Sequence, residues 1–182
     1  MLTGIRTPNA DPAGKEETPL ELLLGCHQRI RHFTAIARRM AENPTASLDE
    51  ISEAAAAVYR YFHVALPLHE ADENISLDPR LHDVAEVSQA SEEMVRQHTE
   101  INRVLKQLLP LWDALCREPE KLPRFASRIM HLVSELERLW DAHLCLEEEQ
   151  VFPAIQRLPR EEVAAILSEM KERRRSETRA IA

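Results

Sequence analysis

The sequence is short of glycine, with three in 182 residues, and it has no runs of β-branched and aromatic residues. A sheet-based fold has little to build on in such a chain. It also lacks a basic balance: 23 Lys and Arg stand against 31 Asp and Glu, a net charge of −8. A general nucleic-acid binder would need a basic face, so no nucleic-acid partner is expected. No stretch of about 18 apolar residues occurs, which argues against a transmembrane helix and a membrane partner. The N-terminal "MLTGIRTPNADPAGKEET" has no apolar core of the kind a signal peptide needs. The three cysteines, Cys26, Cys116 and Cys145, are odd in number and form no CxxC pair. That usage fits a reduced, cytoplasmic compartment.

What the chain does have is Ala, Leu, Glu and Arg in abundance, all good helix formers. The expected fold class is all-α. Residues 1–17 are polar, with Pro and Gly, and are expected to form a flexible N-terminal arm. Thr18-Pro19-Leu20-Glu21 combines a Thr cap, Pro at the first helical position and the Glu of a capping box, so helix 1 should start there and run to about Ala41. Ser47-Leu48-Asp49-Glu50 is a second capping box, opening a helix that reaches toward Ser76. Pro67 should kink that helix or free a carbonyl, and Asp78-Pro79 should end it. Helix 3 is expected over 83–116 with a bend near Pro110, and helix 4 over 119–151, ending near Pro153. A charged amphipathic segment at 160–175 predicts a short fifth helix, followed by a frayed tail whose basic cluster is solvated. Four long helices with short connections predict an antiparallel up-down-up-down four-helix bundle over 18–158, with the C-terminal helix and tail over 159–182.

The chemistry lies in a repeated frame. "HEADENISLDP" (69–79) and "HLCLEEEQVFP" (143–153) share His-x3-Glu-x5-Pro. "CHQRI" and "QHTEI" share His-x2-Ile, with His27 and His98. The pattern is therefore His, then His-x3-Glu, twice over, at intervals of 42 residues (27 to 69) and 45 residues (98 to 143). The helical period places each member in an apolar stripe: Leu23-His27-Ile30, Leu66-His69-Glu73-Leu77, Met94-His98-Ile101-Leu105 and Trp140-His143-Glu147-Val151. His32, His63, His82 and His131 sit roughly 120–140° from the ligand direction and should be surface or boundary residues.

A single inward His is more often a hydrogen-bonded core residue than a ligand. An inward Glu differs, because a buried, unpaired carboxylate is neutralised or lost unless a cation or strong donors meet it. No Lys or Arg occupies the four stripes near these levels. Four His and two Glu at one level are therefore explained economically by metal. Residues four apart on a helix point the same way, about 6 Å apart along the axis. Each Glu can then bridge toward a second ion while its own His binds terminally. Imidazole with carboxylate suits iron, and also manganese or zinc; six ligands spread over two ions favour iron.

These residues resemble the hemerythrin-like (HHE cation-binding) family, over about 18–158. The resemblance implies a four-helix bundle with a non-haem di-iron centre, oxo- or hydroxo-bridged. It makes His27, His69, His98 and His143 the terminal ligands, and Glu73 and Glu147 the bridging carboxylates. Oxygen-carrying hemerythrins have a further His one turn along helix 3 and a bridging Asp on helix 4. Here Asn102 and Met94 stand one turn either side of His98, and the helix 4 carboxylate is Glu147. The set is closer to the four-His, two-Glu members linked to nitric-oxide stress and iron–sulfur cluster repair.

Among the neighbours, Glu70 is a possible extra ligand, as in some iron-sensing relatives, although a solvated face is the default for Glu. Asp72, Glu148 and Glu149 are expected to face water. Cys26 and Cys145 lie beside ligands but point about 100° away, as small core residues. Ile30, Phe33, Ile101, Trp112 and Trp140 are expected in the core, some as an apolar wall around a gas-binding pocket. The function expected is binding or sensing of O2, NO or a peroxide by a monomer or homodimer, with a role in iron handling or cluster repair. No general acid or base is identifiable beyond the ligands, which disfavours a dedicated enzyme. A ferritin-like di-iron oxidase or peroxidase would show Glu-x2-His motifs, which are absent from the ligand pairs. A bundle with a purely structural metal is the remaining alternative.

Overall fold

The computed structural model describes residues 17–81, 84 and 87–181, and all regular structure among them is helical. The arm expected at 1–17 lies outside the described residues except for Glu17, and so does His82. Helix α1 spans Pro19–Glu42 and α2 spans 48–81. Helix α3 spans Ser88–Arg117, α4 spans 122–155 after a single 3-10 turn at Pro119–Lys121, and α5 spans Arg160–Ile181. Both expected capping boxes are present. Thr18 Oγ1 accepts from the Glu21 N–H and Ser47 Oγ from the Glu50 N–H, each at 3.2 Å, and each Glu carboxylate answers the cap N–H. Helices α1 and α4, α3 and α4, α2 and α3, and α1 and α2 pack as pairs.

Two helices outrun their expected ends, for one shared reason. Proline lacks an N–H, and its ring clashes with the carbonyl four residues back. Here the chain widens into a π turn before each such proline instead of stopping. The π segments are Tyr61–Ala65, Asp72–Leu77 and Glu147–Val151. In each, the residue just before the proline donates to the carbonyl five back: Leu66 to Tyr61, Asp78 to Glu73, and Phe152 to Glu147. Pro67, Pro79 and Pro153 thus sit just after widened turns, and α2 continues to Leu81 and α4 to Ile155. Helix α3 runs through Pro110 as an unbroken α-helix, and its assigned start is Ser88 rather than 83.

The core is in two pieces. One holds Ile30, Phe62, Leu66, Ile101, Leu105, Leu136, Trp140 and Leu144. The other holds Leu23, Leu77, Leu81, Ala90, Val151, Phe152 and Ile155, closed by Ile166 and Met170 of α5. On every long helix the residues of the repeated frame fall between the two: His27 between Leu23 and Ile30, for example, and His143 with Glu147 between Trp140 and Val151. A polar layer divides the core at that level.

Helix α5 extends past the expected 175 to Ile181, and its basic cluster is not simply solvated. Arg173 and Arg174 both donate to the carboxylate of Asp72, with Arg174 Nη2 at 2.6 Å from Oδ2. Asp72 is fully buried, which corrects the expectation that it faces water. Its charge is tolerated there because two guanidinium groups replace the lost solvent. Arg80 extends the seam, donating to Glu162 at 2.7 Å and Glu169 at 2.8 Å.

Candidate metal centre

His27, His69, Glu73, His98, His143 and Glu147 are all buried in the dividing layer. The i, i+4 spacing on α2 puts His69 Nε2 3.0 Å from Glu73 Oε1, and on α4 it puts His143 Nε2 3.2 Å from Glu147 Oε1. The remaining two histidines meet the other carboxylate oxygens. His98 Nε2 lies 3.2 Å from Glu73 Oε2, and His27 Nε2 lies 3.0 Å from Glu147 Oε2. Each carboxylate therefore turns one oxygen to a histidine of its own helix and the other to a histidine of a neighbouring helix.

Two groups of four result, His27, His69, Glu73 and Glu147, then Glu73, His98, His143 and Glu147, with ligand atoms within 4.8 Å of one another. Both glutamates belong to both groups. Among the described residues, the buried side-chain N and O atoms without a hydrogen-bond partner come from these six residues and two tryptophan indoles. They include all four Nε2 atoms and all four carboxylate oxygens. Buried polar atoms are normally hydrogen-bonded, so a convergent set of orphans needs a partner. Two cis ligands about 2.1 Å from one ion stand about 3 Å apart, the spacing of these nitrogen–oxygen pairs. The donor set fits a pair of metal ions.

The π turns contribute to this geometry. Glu73 lies in the segment Asp72–Leu77 and Glu147 opens the segment Glu147–Val151. Such widened turns are frequent at functional sites. The proline six residues after each Glu is the sequence feature that the two segments share.

Outside the ligand atoms, His27 Nδ1 meets Glu148 Oε1 at 2.7 Å, and Arg31 Nη2 donates to the same oxygen at 2.9 Å. Glu148 is half-buried, which corrects its assignment to the solvated face; Glu149 is exposed as expected. His143 Nδ1 meets Gln97 Oε1 at 3.1 Å. Phe152 packs on the His27 ring at 5.0 Å and Trp140 on His143 at 5.7 Å between centroids. Glu70 joins neither group of four; Asn102 Nδ2 donates to its two oxygens at 3.1 and 3.2 Å. Cys26 is buried as expected, with Arg29 Nη2 at 3.1 Å from its sulfur, while Cys145 is exposed, which corrects its expected place as a small core residue. His32, His63 and His131 are exposed.

Electrostatics divide the two carboxylates. Burial and the negative charge of Glu73 push Glu147 up to about 7. Burial works against ionisation of Glu73 too, but the His69 charge and the close approach of the His69 and His98 rings hold it well below the usual range. His69 is raised in return: burial opposes its charge, and Glu73 and Cys26 together outweigh burial. Burial, then the charge at His98, lowers His143 to about 3. Ligation requires Glu147 and His69 to give up their protons. Metal affinity should therefore rise with pH through 7, and Glu147 alone makes binding about tenfold weaker at pH 6 than at pH 8. Chelator competition at the two pH values measures this, and equal affinities would contradict it.

A profile of the hemerythrin HHE cation-binding domain matches residues 18–155, and a second match covers residues 90–179. The chain belongs to the hemerythrin HHE cation-binding family. Membership in that family implies metal binding, and the buried His and Glu groups of this hemerythrin-family chain are suited to it. The chain is also similar to an uncharacterized protein of Haemophilus influenzae, 28% identical over 142 residues, covering 71% of this chain and 74% of that protein. Among the described residues, no helix is long and apolar enough to cross a membrane.

Proposed function

We propose that this chain is a non-haem di-iron protein that binds or senses O2, NO or a related oxidant in the cytoplasm. Its role lies in iron handling or iron–sulfur cluster repair. One observation carries the reading: four imidazole nitrogens and four carboxylate oxygens, all buried and unpartnered, converge in two sets that share both glutamates. Residues 18–158 form the functional unit as an antiparallel up-down-up-down bundle, and the protein acts as a monomer or homodimer. His27, His69, His98 and His143 are terminal ligands; Glu73 and Glu147 bridge.

Two nitrogens and two oxygens per position resemble the His and carboxylate sets with open positions that non-haem iron uses. When bound, iron supplies reversible, redox-active coordination of a diatomic ligand. The chain's own residues then shape the surroundings. Phe152 and Trp140 cover two of the rings with apolar surface, excluding water from that side. Glu148 and Gln97 hold the His27 and His143 rings by the nitrogen that faces away from the centre, leaving Nε2 free.

Anaerobic loading with ferrous iron, followed by exposure to O2 and separately to NO, tests the proposal. New visible bands that depend on the gas are expected. A spectrum that ignores both gases, with redox-inert zinc as the bound metal, would assign the site a structural role. Rapid, repeated consumption of peroxide would assign the protein to the di-iron oxidases and peroxidases instead.

A further inference from the structure

The two metal positions have the same ligand types but different outer support. At the first position, His27 is backed by a carboxylate, Glu148, which Arg31 holds in turn. At the second, His143 is backed by the neutral amide of Gln97, at a longer 3.1 Å. Gln97 is itself anchored, its Nε2 donating to Glu93 Oε1 at 2.8 Å. An ionised acceptor makes a stronger hydrogen bond than a neutral one and raises the basicity of the ligating nitrogen.

Solvent reaches the two positions unequally. His27 and His69 are 0% and 1% exposed, and the His27 ring is packed against Phe152 and His69 at 5.0 and 5.3 Å. His98, in the second position, is the most exposed of the six at 5%. Its Nδ1 has no hydrogen-bond partner, and neither has Nδ1 of His69, so each position pairs one braced ring with one unbraced ring.

Both differences act in one direction. We infer that the centre fills in two steps: a divalent transition-metal ion binds first and tightly at the His27–His69 position. A second ion binds more weakly and exchangeably at His98–His143, with Glu148 and Gln97 as the positioning residues that set the gap. The inference rests on the two-ion reading above and adds an order of loading to it. Outer-shell partners of ligating histidines are typically worth 10–100-fold in metal affinity, which sets the size of the effect. The exchangeable position also holds the least buried of the six ligands, so an exogenous ligand reaches the centre from the His98 side.

The test is an anaerobic titration of the metal-free 182-residue chain with cobalt(II), followed by its visible absorption and by chelator competition. Two dissociation constants at least about tenfold apart are expected. His98→Ala should remove the weaker step and leave the tighter one. Glu148→Gln should weaken the tighter step by about 10–100-fold while the weaker step stays within about twofold. Gln97→Glu should strengthen the weaker step about tenfold and narrow the gap. The circular dichroism of each variant establishes that the helices are retained. Two ions bound with equal constants, or Glu148→Gln weakening both steps alike, would overturn the loading order while leaving the two-ion centre standing. Binding of one ion or none by the unaltered chain would overturn both.

Discussion

Replacing Glu73 with glutamine should destroy the metal pair while leaving the helices folded. Glu73 Oε1 faces His69 and Oε2 faces His98, so one carboxylate serves both groups of four. Glutamine keeps the shape of that side chain but has a single acceptor oxygen and no charge. Its amide nitrogen cannot take the place of the second oxygen, and two positive ions would lose half of the carboxylate charge they share. At most one ion per chain is expected, and the affinity loss should exceed the roughly 100-fold that an outer-shell partner costs. A variant confined to one position, His98→Ala, should lose only one ion. Metal analysis of dialysed protein, paired with far-ultraviolet circular dichroism, distinguishes these cases. Retention of two ions at unchanged affinity in Glu73→Gln would show that Glu73 does not bridge.

The second large effect is one of stability. Asp72 carries a buried charge that Arg173 and Arg174 neutralise from more than 100 residues away in sequence. Arg173 also donates to Ser76 Oγ at 3.0 Å, so this contact ties α5 to the segment that bears Glu73. Breaking a fully buried pair by deleting one partner costs about 3–5 kcal/mol. The two arginine side chains here are 18% and 29% exposed and can turn partly to water, which brings the expected cost of Asp72→Ala to about 2–3 kcal/mol. For a chain of this length that lowers Tm by about 4–12 °C. Ser76→Ala, which removes one neutral hydrogen bond of the same contact, should cost about 1 kcal/mol. Thermal melts of the metal-free proteins measure both. A Tm for Asp72→Ala within about 1 °C of the parent would mean that α5 is held by Ile166, Met170 and the Arg80 pairs without help from Asp72.

Much of the candidate site was legible because helical periodicity is local and the frame occurs twice. His69 with Glu73 and His143 with Glu147 each announce their direction within one turn, and the apolar stripes around His27 and His98 do the same. The capping boxes at Thr18 and Ser47 are equally local, and the structure contains both. What escaped depends on partners distant along the chain. An acidic residue outside an apolar stripe is solvated by default, and nothing near Asp72 announces Arg173 and Arg174. Glu148 was obscured in the same way, because it stands one residue from Glu147 and its partner His27 lies 121 residues away. The prolines were misread for another reason. Pro79 and Pro153 carry the usual signal for a helix end, and a π turn shows no separate period in the hydrophobic pattern. Their identical offset from Glu73 and Glu147 was visible, but its consequence requires the backbone hydrogen bonds of the folded chain.

Mössbauer spectroscopy of the protein loaded with isotopically enriched iron tests the central claim most directly. It counts iron environments and reports whether the ions are magnetically coupled. The shared carboxylates of Glu73 and Glu147 predict two iron ions per chain in the oxidised protein, coupled to a diamagnetic ground state, with slightly different environments for the two positions. A single, magnetically isolated iron, or no specific iron signal at all, would contradict a di-iron centre at these six residues.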